Sequence, residues 1–565
     1  MNLTMLQLSN FPFNTLKSAP KVSDNRSTSL LLQGGYIRQA MAWAYEFLPI
    51  WFRVLRNIEQ VIREEMDAAG YHEMLMTILT PREYWETTHR WEIPEYFKVP
   101  GHGNTEYRIA PTNEENVTPI LGEFIQSYKD LPTCVYHIQK KFRNEKRAKS
   151  GLLRGREFIM KDAYSFHKDI ADFEVFYEEV KDVYMRVFTR LWLWEDTVIA
   201  DADGGAISDK NSHEFQTYLS VGEDIIVSDS SWYCYNLELA SGVPDDKNVD
   251  VEEKAMEYID SVPEIVNMEK MKKYFDAPDW QMLKTVIYKL ENSQKFIGVA
   301  LRWDLDINEI KLGKFIRTKY DDTFMLASEE DLENLWTVRG FISPLKDSHL
   351  EVDFYADESL KTVKNFFWGA NSIAKSTKNV NISDLDIIEF ADFNEPKEGF
   401  ISANVPREKL TFKKASEVWN IFHLGNKYSK PFGLSYLDEH NKMVDNVEMG
   451  CYGIGVSRLM GVMAEYFMTE SGIAWPENIA PYSYYIIVMW EDNIETAKKI
   501  AGDLEAAGES VILDDRMGRK DGFWQKAGDC ELWGIPNRIV LSPKTLDLGG
   551  YELTKRGKQS EIIKI

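Results

Sequence analysis

The stretch Phe142-Arg143-Asn144-Glu145, followed by Gly151-Leu152-Leu153-Arg154-Gly155-Arg156-Glu157-Phe158, is the most informative part of the chain. Eight basic residues and one acid lie between Lys140 and Arg156. An arginine can bind a phosphate through two hydrogen bonds, a carboxylate can accept from an adenine amino group, and an aromatic ring can stack on the base. The pattern favours a nucleotide site, although a solvated hairpin with a positive tip also explains it.

A glycine-rich stretch, Gly450-Cys451-Tyr452-Gly453-Ile454-Gly455-Val456-Ser457-Arg458, reads as a strand and a helix. Glycines let a backbone approach a ligand closely, but they also occur in many turns. Taken alone, the stretch is therefore only a weak sign of a nucleotide site.

The composition limits the classes of protein to which the chain can belong. The 565 residues suggest roughly three or four domains. Hydrophobic residues make up 44% and charged residues 28%, as in folded soluble proteins, and the net charge of −24 argues against a protein that coats nucleic acid. The four cysteines lie far apart, without zinc-site or disulfide-scaffold spacing, so we expect a cytoplasmic protein without a structural metal. No export signal or membrane-spanning run is recognised.

Hydrophobic periodicity predicts the main elements. An amphipathic helix runs from Trp51 and stops near Gly70, Met74 to Leu79 reads as a buried strand, and Val135 to Asp162 as two strands around the basic loop. Strands and helices alternate after Pro481. The predicted domains are a first domain in two parts (1–228 and 391–480), an inserted domain (229–390) and a small α/β domain (481–565).

The two motif regions resemble those of class II aminoacyl-tRNA synthetases: motif 2, an aromatic-Arg-x-Glu, a loop and Arg-x-x-x-Phe-x-x-x-Asp, and the glycine-rich motif 3. Nearly the whole chain resembles the bacterial-type prolyl-tRNA synthetases. The segments that carry this resemblance include Lys161 to His167, Ser212-His213-Glu214-Phe215 and Asp514-Asp515-Arg516. The resemblance implies a multidomain α/β and α+β protein. It would comprise an antiparallel-sheet catalytic domain, an inserted editing-like α+β domain and a C-terminal α/β anticodon-binding domain.

The resemblance also implies the substrates, which are ATP with Mg²⁺, L-proline and tRNA(Pro). Thr112 and Glu114 match the Thr-x-Glu element that holds the imino group of proline, and Phe215 and Phe422 are candidate walls around its ring, although aromatic residues are more often core. Without the resemblance, a capping or surface role would suit Thr112 and Glu114 better.

The resemblance assigns the phosphates of ATP to three arginines and the adenine to two further residues. Arg143 would bridge the carboxylate of proline and the α-phosphate, while Arg154 and Arg458 hold the outer phosphates. Glu145 would read adenine and Phe158 stack on it. The remaining candidates for the ATP site are Glu417, which is also a possible Mg²⁺ contact, Asn420, Gly453 and Gly455.

Arg147 and Lys149 are candidates for the acceptor stem of the tRNA, and Arg516 and Arg519 for its anticodon. An exposed charge without a ligand explains each of these four equally well. The family also implies a homodimer, without a membrane partner.

The chain departs from the family pattern beside the expected site. Thr77 replaces the motif 1 proline, Trp51 replaces a glycine, and Ser208-Asp209 replaces a glycine pair. Trp419-Asn420 and His423 stand where Gly-His and Gln are usual.

The inserted domain keeps the lysine of the family's editing segment as Lys284, which could bind a phosphate or the ester of tRNA mischarged with alanine. The family's histidine is absent, with Ser376 near its place, and the usual Gly-Pro reads Ser343-Pro344. Editing is therefore expected to be weak, altered or lost. The alternatives are a noncatalytic tRNA-binding paralogue and a protein whose main role is hydrolysis of mischarged tRNA. Retention of the motif residues disfavours both.

Overall fold

The computed structural model describes residues 5–18, 26–145, 151–205, 207–208, 210, 212–260, 268–518 and 522–565. The chain divides into two compact units. The main unit comprises Met1–Ile199, Gly204–Glu223 and Lys414–Ile565, and the second unit comprises Ala200–Asp203 and Asp224–Lys413. No helix in the described part of the chain is long and apolar enough to cross a lipid bilayer.

Long antiparallel strands form the central sheet of the main unit. Thr133–Phe142 and Glu157–His167 pair as a hairpin, here called the basic hairpin, in which Phe142 lies opposite Glu157. Glu448–Ile454, the glycine strand, pairs with the second strand of this hairpin. The long strand Thr411–Gly425 pairs with the glycine strand and, from Ala415 to Phe422, with Ser212–Tyr218. Residues far apart in sequence therefore meet on one surface.

The predicted helix after Trp51 is present as Pro49–Ala68, with Pro49 at its first turn and Gly70 in the left-handed region just beyond its end. Its apolar face is buried at Val54, Leu55 and other positions, and each fully buried aliphatic side chain contributes about 1.5–3 kcal/mol. Before Pro481, the main unit also contains the helices Arg26–Gln33, Arg82–Thr87, Glu114–Phe124, Ile170–Arg190 and Val456–Tyr466. Its shorter strands there include Ile37–Met41, Ala44–Phe47, His72–Glu73, Leu79–Pro81, Lys98–Pro100, Glu106–Ile109, Tyr436–Leu437 and Met443–Val444.

The expected buried strand from Met74 to Leu79 is wrong. Only the short strands on either side of it form, and Leu75 and Leu79 are 77% and 51% exposed. The backbone carbonyl of Thr77 instead accepts side-chain hydrogen bonds from Asn113 and Asn116. Leu75 and Leu79 thus face outwards while Met76 is buried, a division that a hydrophobic run alone does not reveal.

The segment after Pro481 alternates strands and helices, as predicted. Tyr484–Val488 pairs in parallel with Val511–Asp514 and Asn537–Leu541. Leu6–Gln7 adds a parallel strand beside Val511–Asp514. The segment is completed by the antiparallel strands Gly550–Lys555 and Glu561–Lys564 and the helices Ile494–Ala506, Phe523–Leu532 and Pro543–Asp547.

This C-terminal segment shares a core with the rest of the main unit. The indole of Trp533 donates to the carbonyl of Gly34 at 2.7 Å, and the Tyr36 hydroxyl, which accepts from Trp475 at 3.1 Å, donates to the carbonyl of Leu532 at 3.4 Å. The side chains of Tyr36, Trp475 and Trp533 are buried. The segment 481–565 therefore belongs to the same compact unit as the central sheet.

The second unit is wider than the predicted insertion at 229–390. Phe400 and Leu410 are buried in one apolar cluster with Val227 and Ala240, so the chain up to Lys413 packs within this unit. Its sheets contain the strands Leu283–Leu290, Phe296–Arg302, Phe324–Leu326, Asp353–Asp357 and Glu389–Ala391, and Glu257–Asp260, Phe366–Gly369 and Lys375–Val380, and its helices are Met268–Phe275, Glu309–Tyr320 and Glu329–Asn334.

Candidate active site

A cleft of about 940 Å³, counting its open mouth, lies over the central sheet of the main unit. The strand pairing explains how distant residues reach it, because Gly453 lies opposite both Asp162 and Asn420. Alternate residues of a strand point to one face. The cleft is lined by Thr112, Arg143, Glu145, Leu152, Leu153, Arg154, Gly155, Phe158, Met160, Asp162, Ile207, Glu417, Val418, Trp419, Asn420, Phe422, Cys451, Gly453, Gly455 and Arg458.

The glycines of the glycine strand serve different purposes. A Cβ on Gly450 would lie 2.1 Å from the Tyr452 hydroxyl oxygen, so packing requires glycine there. A Cβ on Gly453 would meet only ordinary contacts, the nearest being the Met160 sulfur at 3.6 Å. Packing does not demand a glycine at this position, and its open face forms part of the cleft floor.

Arg143 and Phe158 lie together on one wall. The Arg143 guanidinium is 5.3 Å from the centre of the Phe158 ring and donates to the carbonyl of Pro111 at 3.4 Å. A planar cation and an aromatic face are thus presented side by side, which suits an anionic group next to a heterocyclic base.

The other two arginines of the cleft are neutralised by carboxylates. Arg154 forms ion pairs with Glu145 at 3.0 Å and Glu223 at 3.8 Å. Arg458 pairs with the Glu417 carboxylate at 3.0 Å and also donates to the Leu153 carbonyl. In the free protein these carboxylates pair with the two arginines. A triphosphate carries more negative charge than the carboxylates and can compete with them for the same guanidinium groups.

Thr112 and Glu114 are buried at the inner end of this region. The Thr112 hydroxyl donates to Glu114 Oε2 at 2.6 Å, and Arg90 lies 3.6 Å from the same oxygen. The other carboxylate oxygen, Oε1, is buried and accepts no N–H or O–H hydrogen bond from the described residues, although the Cys451 thiol lies beside this carboxylate. An anionic oxygen of this kind is costly to leave unpaired, so the arrangement suits a cationic ligand.

A buried charged network supports this pair. Lys141 and His137 lie 3.0 and 2.9 Å from the two oxygens of Asp162, and Tyr164 donates to that carboxylate. The Tyr164 hydroxyl also accepts from the backbone N–H of Asn113 at 2.8 Å, between Thr112 and Glu114. Burial opposes ionisation of Asp162, but His137 and Lys141 outweigh it and hold its pKa well below the usual value.

Comparison with known proteins agrees with this geometry. Residues 97–467 match the model of the tRNA synthetase class II core domain (G, H, P, S and T). Proline–tRNA ligases from Bacillus subtilis and Persephonella marina are 36% and 38% identical to this chain over 557 and 569 residues, covering 97% and 99% of it and 96% and 98% of the relatives. The chain belongs to the proline–tRNA ligase family.

A solved structure is similar as well. The prolyl-tRNA synthetase from Cryptosporidium parvum, complexed with halofuginone and AMPPNP, superposes with a TM-score of 0.54 at 12% identity, covering 95% of this chain and 74% of that chain. The multidomain fold class and the family predicted from the motifs are therefore confirmed.

Two residues expected at the site of this ligase family, Glu114 and Phe215, are not among the residues that line the cleft. Phe422 lines it, and Asn420 lines it while donating to Glu214 at 3.2 Å. Phe215 does not line the cleft: it is fully buried and packs against Trp419 and the aromatic residues of helix Ile170–Arg190. The expectation that Phe215 forms a wall of the proline pocket is not supported by this position.

The departures from the family pattern are accommodated by packing. Trp51 and Trp419 are buried in the apolar core. His423 stacks on Phe173 with ring centres 4.1 Å apart and lies 3.0 Å from the Glu448 carboxylate. Ser208 donates to the backbone carbonyl of His423. Asp209 lies outside the described residues.

Of the four candidate tRNA contacts, the structure describes only Arg516. Arg147, Lys149 and Arg519 lie outside the described residues. Arg516 is held by the carboxylates of Asp514 at 2.6 Å and Asp529 at 2.7 Å, and burial opposes its charge while these acids raise its pKa. Arg516 thus acts as an internal ion-pair partner, a role that requires the nonlocal Asp529.

Lys284, the candidate editing residue, is described within the second unit alone. Its ammonium donates to the Trp303 carbonyl and to Asp306, both at 3.4 Å, and lies 5.0 Å from the centre of the Trp303 ring. Burial lowers the pKa of Lys284, with partial opposition from Asp306. Ser376 is buried in the small sheet, opposite Gly369 and Ile259.

Proposed function

We propose that this chain uses ATP to join L-proline to the 3′ end of tRNA(Pro). The observation that carries the proposal is the gathering of the cleft residues: Arg143, Arg154 and Arg458, with Glu145 and Phe158, line the same cleft. Thr112 lines it too and is bonded to the buried carboxylate of Glu114. A noncatalytic tRNA-binding module has no need of all these groups.

In the first step, a carboxylate oxygen of proline attacks the α-phosphate of ATP. A new P–O bond forms, the bond to the β-phosphate oxygen breaks, and pyrophosphate leaves. No protein base is needed because the nucleophile is already an anion, so placement and charge neutralisation supply the catalysis. Arg143 bridges the carboxylate and the α-phosphate, while Arg154 and Arg458 bind the outer phosphates.

The remaining side chains orient the two substrates. Glu114 Oε1 accepts from the cationic imino nitrogen of proline, and the Thr112 hydroxyl fixes the direction of that carboxylate. Phe158 stacks on adenine. When a phosphate binds Arg154, Glu145 leaves its ion pair with Arg154 and accepts a hydrogen bond from the adenine amino group. Mg²⁺ enters with ATP as part of the substrate, and Glu417 is the carboxylate placed to contact it.

In the second step, a ribose hydroxyl at the 3′ end of the tRNA attacks the carbonyl carbon of prolyl-adenylate. The new ester bond forms as the bond to the phosphate oxygen breaks, and AMP leaves with that oxygen. The hydroxyl proton passes to an oxygen of the departing phosphate of AMP, so that atoms and charge balance.

The direct test is pyrophosphate exchange that depends on L-proline. We expect exchange in the wild type and a loss of about 100-fold or more in Arg143→Lys, because lysine keeps the charge but not the two-pronged geometry. Arg156→Lys is the matched control, since Arg156 lies on the same hairpin, over the Trp43 ring, and does not line the cleft. Exchange supported by threonine, histidine or glycine but not by proline would contradict the assignment.

We also infer that the protein is a homodimer. Leu75 and Leu79 are exposed, as are Ile120 and Phe124, which are one turn apart on helix Glu114–Phe124. Sedimentation of the wild type should give twice the chain mass, and Phe124→Glu should shift it towards the monomer. Val175→Glu, at an exposed apolar position of another helix, is the control and should not.

The cytoplasm is the proposed compartment. All four cysteines are free thiols, three of them buried, which suits reducing conditions. Fractionation of cells that produce the protein should recover it with the tRNA pool.

A further inference from the structure

Lys141 is a buried cation that the proposed reaction does not use. It lies in the first strand of the basic hairpin, directly opposite Phe158 and two residues before Arg143. Its side chain is fully buried and is not among those that line the cleft. Burial lowers the pKa of Lys141, and the carboxylate of Asp162 opposes that effect. The backbone of Lys141 therefore belongs to the same part of the hairpin as two residues assigned to the nucleotide.

The ammonium of Lys141 reaches from this hairpin to the residues assigned to proline. It donates to the side-chain oxygen of Asn113, which stands between Thr112 and Glu114 in the chain, and it lies 3.0 Å from Oδ2 of Asp162. We call residues 112–114 the proline turn. One lysine side chain thus joins the proline turn to both strands of the basic hairpin.

Two further contacts join the hairpin to the residues just before the proline turn. The backbone N–H of Phe142 donates to the carbonyl of Ala110 at 3.3 Å, and the Arg143 guanidinium donates to the carbonyl of Pro111 at 3.4 Å. Both distances are long for hydrogen bonds of this kind. The contact of Lys141 is instead fully buried at both ends, so water cannot replace it when it is lost.

Stability alone does not explain a buried ion pair between Lys141 and Asp162. Removing two charges from water is costly, and replacing such a pair by apolar groups of similar size is often neutral or stabilising. A charged lysine at this position is better explained by the geometry that it imposes on the segments it joins. The geometry in question is the placement of the proline turn relative to the hairpin.

We propose that Lys141 is a positioning residue that couples the binding of ATP to the binding of proline. Through Lys141, the hairpin that holds the nucleotide and the turn that holds the imino group keep one relative placement. Either substrate then fixes the site for the other, and this coupling is reciprocal. The carboxylate of proline and the α-phosphate are thereby brought together at Arg143. This inference rests on the proposed tRNA-charging function and concerns its first step.

The test measures the affinity of the full chain for L-proline by titration calorimetry, with and without the α,β-methylene analogue of ATP and Mg²⁺. This analogue cannot be cleaved between its α- and β-phosphates, so binding is measured without reaction. In the wild type the analogue should raise the affinity for proline by about fivefold or more, as is typical of coupled sites.

Lys141→Met keeps most of the length of the side chain and removes its charge, and it should reduce this ratio of affinities to less than about twofold. Lys140→Met is the matched control. Lys140 is the neighbouring lysine in the same strand, but its side chain is exposed and pairs with Glu157. The control should keep the wild-type ratio.

A second pair of variants tests the same contact without removing the buried charge. Asn113→Ala removes the acceptor of Lys141 and should lower the ratio as Lys141→Met does. Asn116→Ala is its control, because both side-chain amides donate to the Thr77 carbonyl, while the contact with Lys141 is made by Asn113. Asn116→Ala should keep the wild-type ratio.

The outcomes separate this proposal from the function on which it rests. If the wild type binds neither proline nor the analogue, the proposed function fails. If it binds both, the coupling proposal is overturned by a wild-type ratio near one, or by a wild-type ratio in Lys141→Met or Asn113→Ala. A lower melting temperature with an unchanged ratio identifies a purely structural role and also overturns it. If Lys141→Met does not fold, the ratio in Asn113→Ala decides.

Discussion

Glu114→Gln is the substitution that tests the proline pocket most sharply. The change preserves shape, and glutamine can still accept from the Thr112 hydroxyl, now 2.6 Å from Glu114 Oε2. It removes the negative charge from Oε1, the buried oxygen that accepts no N–H or O–H hydrogen bond from the described residues. A hydrogen bond to a charged group contributes about 1.5–3 kcal/mol, which corresponds to about 10- to 100-fold in kcat/KM for proline.

The assay is proline-dependent exchange at varied proline and at varied ATP. We expect the loss in the proline titration, with the KM for ATP nearly unchanged. Glu115→Gln is the contrasting control, because Glu115 is the neighbouring buried acid and its carboxylate already pairs with Arg90 at 2.8 Å. Breaking that buried pair should cost about 3 kcal/mol of stability. A Glu114→Gln protein with normal melting and a KM for proline within twofold of the wild type would refute the reasoning.

Three further outcomes follow from the described contacts. Arg516→Ala should lower the melting temperature strongly, because it leaves the buried Asp529 without an ion-pair partner among the described residues, at a cost of about 3–5 kcal/mol. A stable variant with only weakened tRNA binding would favour the anticodon role instead. Lys284→Ala should reduce whatever Ala-tRNA(Pro) hydrolysis the wild type shows, and equal hydrolysis in both proteins would remove Lys284 from editing. Burial lowers the pKa of His423, with Glu448 opposing and Lys210 assisting, so stability should fall as the pH drops below about 6.5, where the unfolded histidine gains a proton first. His423→Gln should flatten that fall, and an unchanged pH profile would contradict this account.

Local chemistry made the nucleotide cleft predictable. Arg143, Glu145, Arg154 and Phe158 stand within one hairpin, so the sequence order already placed these four together. The contact between His137 and Asp162 was not predicted from the sequence, although the two residues lie directly opposite each other in that hairpin. Counting the strand register back from the loop was the signal that could have found it.

Other features depend on geometry that a single sequence does not encode plainly. A bulge between Phe215 and Gln216 shifts the register against the long strand, so the face on which Phe215 points could not be read from alternation. Arg516 has acidic neighbours in sequence, but Asp529, which completes its ion pairs, comes from a helix thirteen residues later. The strand predicted from Met74 to Leu79 is wrong for a related reason, because the exposed Leu75 and Leu79 cannot be told in sequence from the buried Met76.

The pairing of Leu6–Gln7 with the C-terminal sheet has a consequence for biosynthesis. Ser9 bonds to Asp515, which the ribosome adds 506 positions later, so this early strand has no partner during most of translation. An unpaired strand edge invites wrong pairings with other chains. The strand Leu6–Gln7 must therefore stay soluble and unpaired until the C-terminal sheet has been synthesised.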